Sequence, residues 1–431
     1  MNIIYQRASR VLTYTGPDSG SSIQALDFIQ ELGEHIRERG SERAASGFPS
    51  ANDPRWTALH EFFQRPWPSR LWIVQEFLLS QSPPILLCGR REVSWNLILE
   101  LVLLAHDGYF PFVVRHSDTD PASSLLWLGE LRVAASDAST RKGMTLVELL
   151  RACRARHCVD TRDKTFAVLS LASDAEELQI RADYNVSTPE LYTKVAATII
   201  QNAQSLEILK SAGYRKPSDL PSWVPDWTTD RVTVPLDMND FLFVKNAKKS
   251  TYMFSTGGKS EFSTTINADA YSEVLSFRGT IVDQLSCLTE VICAKTRTKD
   301  HSWMAWLQQT MEAFDTSKYG KEGAMEMAFW RIMCGGRTHD RQKFAEQFLR
   351  GLRRGIHLRR LCRTTGGFIG LVPSHAREGD EVCIVRGTRV PLLLRACGEF
   401  WLFIGECYIH GIMDGEALQF HGLQTQDVKV V

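Results

Sequence analysis

Arg65, Trp67, Arg70, Trp72, Gln75 and Glu76 fall within one short run, Arg65-Pro-Trp-Pro-Ser-Arg-Leu-Trp-Ile-Val-Gln-Glu76, which brings guanidinium, indole, amide and carboxylate groups close together. A carboxylate (Glu76) and a guanidinium (Arg70) at a pocket edge could bind or act on a polar ligand. The structural alternative makes the polar members pairing groups that tie a helix to the core, while Trp67 and Trp72 pack inside it. That alternative is favoured, and it predicts that both rings are largely buried. Glu76 is the one weak catalytic candidate.

Asp160, Arg162, Asp163 and Lys164 form a second dense cluster. Asp163 could serve as a general base, but capping of a helix that begins there, with pairing to Arg, accounts for the same residues. His410 near Glu406, Cys407 and Asp414 invites a triad, yet a nucleophilic thiol needs a setting that lowers its pKa, and none is visible. Cys153, His157 and Cys158 lack the second ligand pair of a zinc site, so no metal is expected and the cysteines read as buried, reduced thiols. The basic run from Arg350 to Arg363 has no interleaved aromatics and reads as a solvated helix face, which makes nucleic acid an improbable partner. Gly366-Gly-Phe-Ile-Gly370 reads as a turn, since no Lys-Ser/Thr ending makes it a phosphate loop.

The elements that must hold these residues are legible in part. Arg10 to Gly16 reads as a strand, and Ile23, Leu26, Ile29, Leu32 and Ile36 recur at helical spacing after it. Asp53-Pro54 starts a helix, and Pro68 suits the first turn of another that aligns Trp72, Gln75, Glu76 and Leu79. Ile85 to Cys88 is a strand, and Ser94 can cap a helix to about Ala105. Helices follow near 123–135, 145–155 and 162–171, then one opened by the capping box Ser187-Thr-Pro-Glu190. Val274 to Leu285 looks extended. Helices are expected again at 302–314, 322–334 and 341–351, before short strands at 368–372, 381–386, 390–394 and 401–406 that suit a small antiparallel sheet or barrel.

With 431 residues, 44% hydrophobic, the chain can bury a large interior. Lys plus Arg and Asp plus Glu both total 50, so no net charge concentrates nucleic acid or an anionic membrane. The N-terminus has no apolar signal-peptide core, and no apolar run is long enough to span a bilayer as a helix. A cytoplasmic location is expected.

Several of these segments resemble the heterokaryon-incompatibility (HET) domain proteins of filamentous fungi. Met1-Asn-Ile-Ile-Tyr-Gln-Arg-Ala8 with Val11-Leu-Thr-Tyr-Thr-Gly16 resembles the late part of the domain, and Arg65 to Glu76 resembles the motif that closes it. Asp160 to Leu171, Ala182-Asp-Tyr184, Leu220-Pro-Ser-Trp-Val-Pro-Asp-Trp227, Gly379 to Gly387, Pro391 to Arg395 and Gly405 to Gly415 resemble blocks that commonly follow it. The family's opening blocks do not occur before Met1, so the expectation is a HET domain without its first half.

The resemblance implies a fold from α/β to α+β: a truncated TIR-like α/β unit (1–80), a helical region (81–215), an irregular connection (216–263), a mixed helical region (264–357) and a small antiparallel β-rich module (358–431). It implies non-self recognition linked to fungal programmed cell death, acting through a protein partner and no cofactor. The alternatives it leaves are a TIR-like hydrolase that cleaves NAD, and a degenerate HET-like accessory protein that could belong to a biosynthetic gene cluster.

Overall fold

The computed structural model describes residues 2–40, 47–112, 121–136, 143–213, 219–229, 236, 267–268, 273–291, 358–386, 388–420 and 422–431. The chain is α+β, with mixed helices and strands and a sheet-rich C-terminal region. It divides into two compact units, one over Met1–Ala182 and one over the described residues from Asp183 to Val431.

The first unit holds α1 (Asn2–Arg7), α2 (Gly20–Arg39), α3 (Arg55–Phe63), α4 (Ile73–Leu79), α5 (Trp95–His106), α6 (Pro121–Ser136), α7 (Leu146–Ala152), α8 (Asp163–Leu169) and α9 (Ala175–Leu178). They accompany a three-stranded sheet of order β1 (Leu12–Gly16), β2 (Ile85–Cys88), β3 (Arg91–Ser94). β1 runs parallel to β2, with α2, α3 and α4 in the connection, and β3 returns antiparallel as a hairpin. A parallel pair needs such a long crossover. α2 buries Leu26, Ile29, Leu32 and Ile36 as its spacing predicts, but Ile23 is exposed at its first turn. Ser19 caps it by accepting from the Ser22 amide. Aromatic rings join the helices: Phe28 meets Trp56 edge-on at 4.9 Å, and Phe77 meets Trp95 at 4.4 Å.

One helix start differs from the expectation. Pro66 to Ser69 closes a 3-10 turn, Arg70 is extended (ψ 138°), and α4 begins only at Ile73. The two prolines withhold the amides a continuous helix would need, so the run makes a turn, a break and a short helix.

The second unit opens with α10 (Thr188–Ala203), whose Ser187 cap accepts from the Glu190 amide at 3.3 Å. Its strands are β4 (Asn267–Ala268), β5 (Leu275–Leu288), β6 (Arg359–Thr364), β7 (Ile369–Pro373), β8 (Glu381–Ile384), β9 (Leu392–Cys397), β10 (Phe400–Glu406), β11 (Tyr408–Ile409) and β12 (Thr425–Val430). β5 pairs with β12 along its first half and with β8 beyond it, while β8, β9, β10 and β12 pair in succession. The pairing therefore closes on itself as a barrel. Past the closure β5 pairs with β6, which leads to β7 and β11. Closure removes the open edges that a flat sheet of this size would carry.

Leu220 to Trp227 forms turns, not helix or strand, yet Trp223 and Trp227 are completely buried. Ser222 anchors the segment: its amide donates to Val431 O at 3.0 Å, and its hydroxyl accepts from the Phe403 amide at 2.8 Å. The basic run needs correction. Residues 350–357 lie outside the described residues, but Arg359 to Arg363 lie in strand β6, not on a helix face. Arg359 is fully buried, held by Glu406 at 3.0 Å, and Arg360 donates to Ala376 O. Gly366-Gly367 turns the chain between β6 and β7, as expected. The helices expected at 302–314, 322–334 and 341–351 also lie outside the described residues.

Candidate functional site

The two clusters that stand far apart in sequence meet in the first unit. The Trp72 indole N–H donates to Asp163 Oδ2 at 3.0 Å, and the Gln75 amide donates to Ala167 O at 2.8 Å and to the Ser170 hydroxyl at 3.4 Å. The backbone completes the junction, because the His157 amide donates to Ser69 O and the Leu71 amide to His157 O, each at 2.8 Å. The break at Arg70 makes this possible: an extended residue between turn and helix frees its neighbours' amides and carbonyls for a bridge.

Each sequence-predicted residue has a definite place. Trp67 is buried and stacks on Phe77 with ring centres 6.4 Å apart, while Trp72 is largely but less completely buried, as expected of both rings. Its N–H needs Asp163, which keeps the Trp72 ring at the rim of the junction. Arg65 ties the run to the strand ends, donating to Thr15 O (3.3 Å), Pro17 O (3.0 Å) and Cys88 Sγ (3.2 Å). Arg70 is exposed. Asp160 chelates Arg162 through its backbone amide, Nε and guanidinium, and these bonds hold the Asp160 carboxyl below the usual carboxylate range. Asp53 and Arg55 repeat the same Asp-x-Arg arrangement ahead of α3. Asp163 stands in the first turn of α8, where its charge suits the helix dipole.

Glu76 lies on the other side of α4. It is half-buried and accepts from the Thr13 hydroxyl at 3.0 Å. Burial raises its pKa, against the opposing pull of the Thr13 bond and of Arg70. Tyr5 responds to the same surroundings: burial and the Glu76 charge raise its pKa, while Arg70 lowers it.

Sequence reasoning missed Arg156 and Arg132 beneath the junction, and it placed Lys164 in a charge cluster without its partners. Arg156 is buried, lies 4.1 Å over the Trp127 ring and donates to Pro68 O and Ser124 O; burial pushes its pKa down to about 10. Lys164 donates to Arg154 O at 2.7 Å and to Arg156 O. Arg132 donates to Phe77 O, Ser80 O and Ser80 Oγ, satisfying carbonyls at the end of α4. These residues bond mainly to backbone carbonyls, which carry no side-chain signature, so nothing in the sequence marks their partners. Among the described residues of the junction, Trp67 Nε1, Gln75 Oε1 and Thr165 Oγ1 are buried without a hydrogen bond.

Other candidates resolve into structure. Cys407 is fully buried, its thiol pushed well above the usual range by burial, and His410 faces the Tyr408 hydroxyl at 3.1 Å, so no triad forms. Burial also raises Cys153 to about 12. Among the described cysteines, Cys287 and Cys397 are exposed, contrary to a wholly buried set. The second unit has a small cleft lined in part by Glu207, Lys210, Thr388, Phe403 and Glu406. Its charges are engaged within the fold, Lys210 with Glu207 at 2.6 Å and Glu406 with Arg359.

Residues 1–76 match the family model described as Heterokaryon incompatibility protein (HET), ending at Glu76, and residues 266–422 match the Het-6 beta-barrel domain. The chain is 25% identical to heterokaryon incompatibility protein 6, OR allele, of Neurospora crassa, with 96% of this chain and 78% of that protein covered. No solved structure matches.

Proposed function

Because this chain is a HET-domain protein whose later part matches a Het-6 barrel, we propose that it serves fungal non-self recognition and programmed cell death from the cytoplasm, through association with a protein partner. The observation that carries this reading is the fate of the motif's polar groups. Trp72, Gln75, Asp160, Arg162 and Asp163 are bonded to one another or to nearby backbone, so the motif is a built junction and not a set of groups converging on a substrate. No described helix is long and apolar enough to cross a membrane.

The test is expression of the chain in one of two otherwise compatible fungal strains, scoring viability of the fused cells. Death on fusion that Trp67→Ala abolishes is the expected outcome; fused cells that stay viable with the chain present would refute the reading.

One observation favours a second reading. Glu76 is a half-buried carboxyl of raised pKa beside the parallel β1–β2 pair, which suits a TIR-like hydrolase that cleaves NAD. Incubation of purified protein with NAD is expected to give no nicotinamide above a Glu76→Ala control. Release that depends on Glu76 would make the hydrolase the primary function.

A further inference from the structure

The bridge between the two clusters brings together side chains that the junction itself does not use. Arg70 and His157 are the paired residues of an isolated parallel bridge, which sets their backbones about 4.8 Å apart and their side chains on one side. Both are exposed. Val159 follows in the same loop, fully exposed, and the loop is fastened at both ends. The Leu71 amide holds His157 O at 2.8 Å, while Asp160 holds the Arg162 amide and Nε, each at 2.9 Å. One exposed valine means little by itself. A valine held out by a clasped loop beside unused polar groups gives a partner a surface that loses little freedom on binding.

The charge at this rim is positive and lacks an acid of its own. Among the described residues, the Arg70 side chain makes no hydrogen bond or ion pair. Glu76, whose pKa Arg70 lowers against the effect of burial, takes the Thr13 hydroxyl and closes no ion pair with that guanidinium. Arg156, directly before the bridge, is buried and donates to Pro68 O and Ser124 O, which are neutral acceptors. Burial pushes its pKa down only to about 10, so it stays charged at neutral pH. The acids nearest in the chain are already engaged, Asp160 with Arg162 at 2.7 Å and Asp163 with the Trp72 indole at 3.0 Å. Two guanidinium charges thus flank the bridge with no carboxylate paired to either, and salt screens a buried charge least.

That excess selects an acid. We propose that Arg70, His157 and Val159 form a docking ridge for an acidic segment of a protein partner. A carboxylate meets Arg70, with His157 beside it as a second N–H donor, and an apolar side chain meets Val159. The ridge rests on the reading of a protein partner given above. Nucleic acid is the poorer occupant, because a phosphate backbone is held by repeated cations, and this ridge has one exposed arginine on a chain of no net charge.

The test is fluorescence anisotropy of the full chain with a fluorescein-labelled glutamate peptide that carries a central leucine. The same peptide in glutamine and a single-stranded oligonucleotide are the comparisons. Binding of the glutamate peptide alone, weakened by salt, is expected. Arg70→Glu and Val159→Asp should each raise its dissociation constant roughly tenfold. Thermal melts should not move, since both side chains lie in solvent. Val159→Leu keeps the apolar contact and should bind as the parent does. Absence of binding would overturn the ridge even where fused cells die, and there the partner reading would stand. Binding indifferent to both substitutions, or tighter binding of the oligonucleotide, would overturn it as well.

Discussion

Trp67 and Trp72 are five residues apart, but they do different work. Trp67 is buried against Phe77, so Trp67→Ala should cost about 3–5 kcal/mol, as other buried aromatic truncations do. Trp72→Phe keeps a smaller ring at the rim and removes the bond to Asp163, for which about 1.5–3 kcal/mol is expected, typical of a hydrogen bond to a charged group. Denaturant midpoints that reverse this order would contradict the junction. Glu76 adds a pH signature. Its pKa in the fold lies above the unfolded value, so the folded state holds the proton more tightly between the two. Its contribution is full below the unfolded carboxylate pKa and is lost as pH rises through the folded one. Glu76→Gln should therefore be at least as stable as the parent at neutral pH, and the difference should vanish in acid. Thermal melts across pH check this; a variant destabilised most at neutral pH would show that the charged form is the stabilising one.

At the level of elements, close approach decides what the second unit's sheet tolerates. Gly370 on β7 faces β11, and a Cβ there would stand 2.2 Å from Tyr408 O, a backbone atom that cannot rotate away. Gly370→Ala should destabilise the protein by about 1–3 kcal/mol through overpacking. Gly398, where an added Cβ meets nothing within 4 Å, lies at a hairpin with φ +62° and tests backbone conformation instead. Arg359 and Glu406 join β6 to β10 through a fully buried ion pair. Glu406→Gln should cost about 3–5 kcal/mol because it leaves the guanidinium without its counter-charge. Chemical denaturation in which this change is silent would show that the pair contributes nothing.

For the whole molecule, closure of the barrel depends on strands distant in sequence. β12 pairs with β5 over six positions and meets β10 at Trp401 and Val430, and the last residue accepts from Ser222. A chain ended before Thr425 should lose the second unit's fold, since β5 and β10 would each expose an edge. Retention of native β-sheet circular dichroism and cooperative melting by that truncation would refute the closure.

The sequence alone determined the features whose signals are local. Ser187-Thr-Pro-Glu190 opened α10, the apolar period of α2 set its buried face, and the blocks at 65–76 and 379–415 carried the family resemblance. Capping, periodicity and motif identity act within a few residues and are written in residue type. The meeting of Trp72 with Asp163, the burial of Arg359, the backbone partners of Arg156 and Lys164, and the joining of β5 to β12 were decided only by the tertiary structure. Their partners are backbone carbonyls or residues dozens to hundreds of positions away, and a strand or a cation does not encode which distant group will satisfy it. Packing makes that choice, because a buried polar group must be paired wherever the closed fold happens to bring a partner.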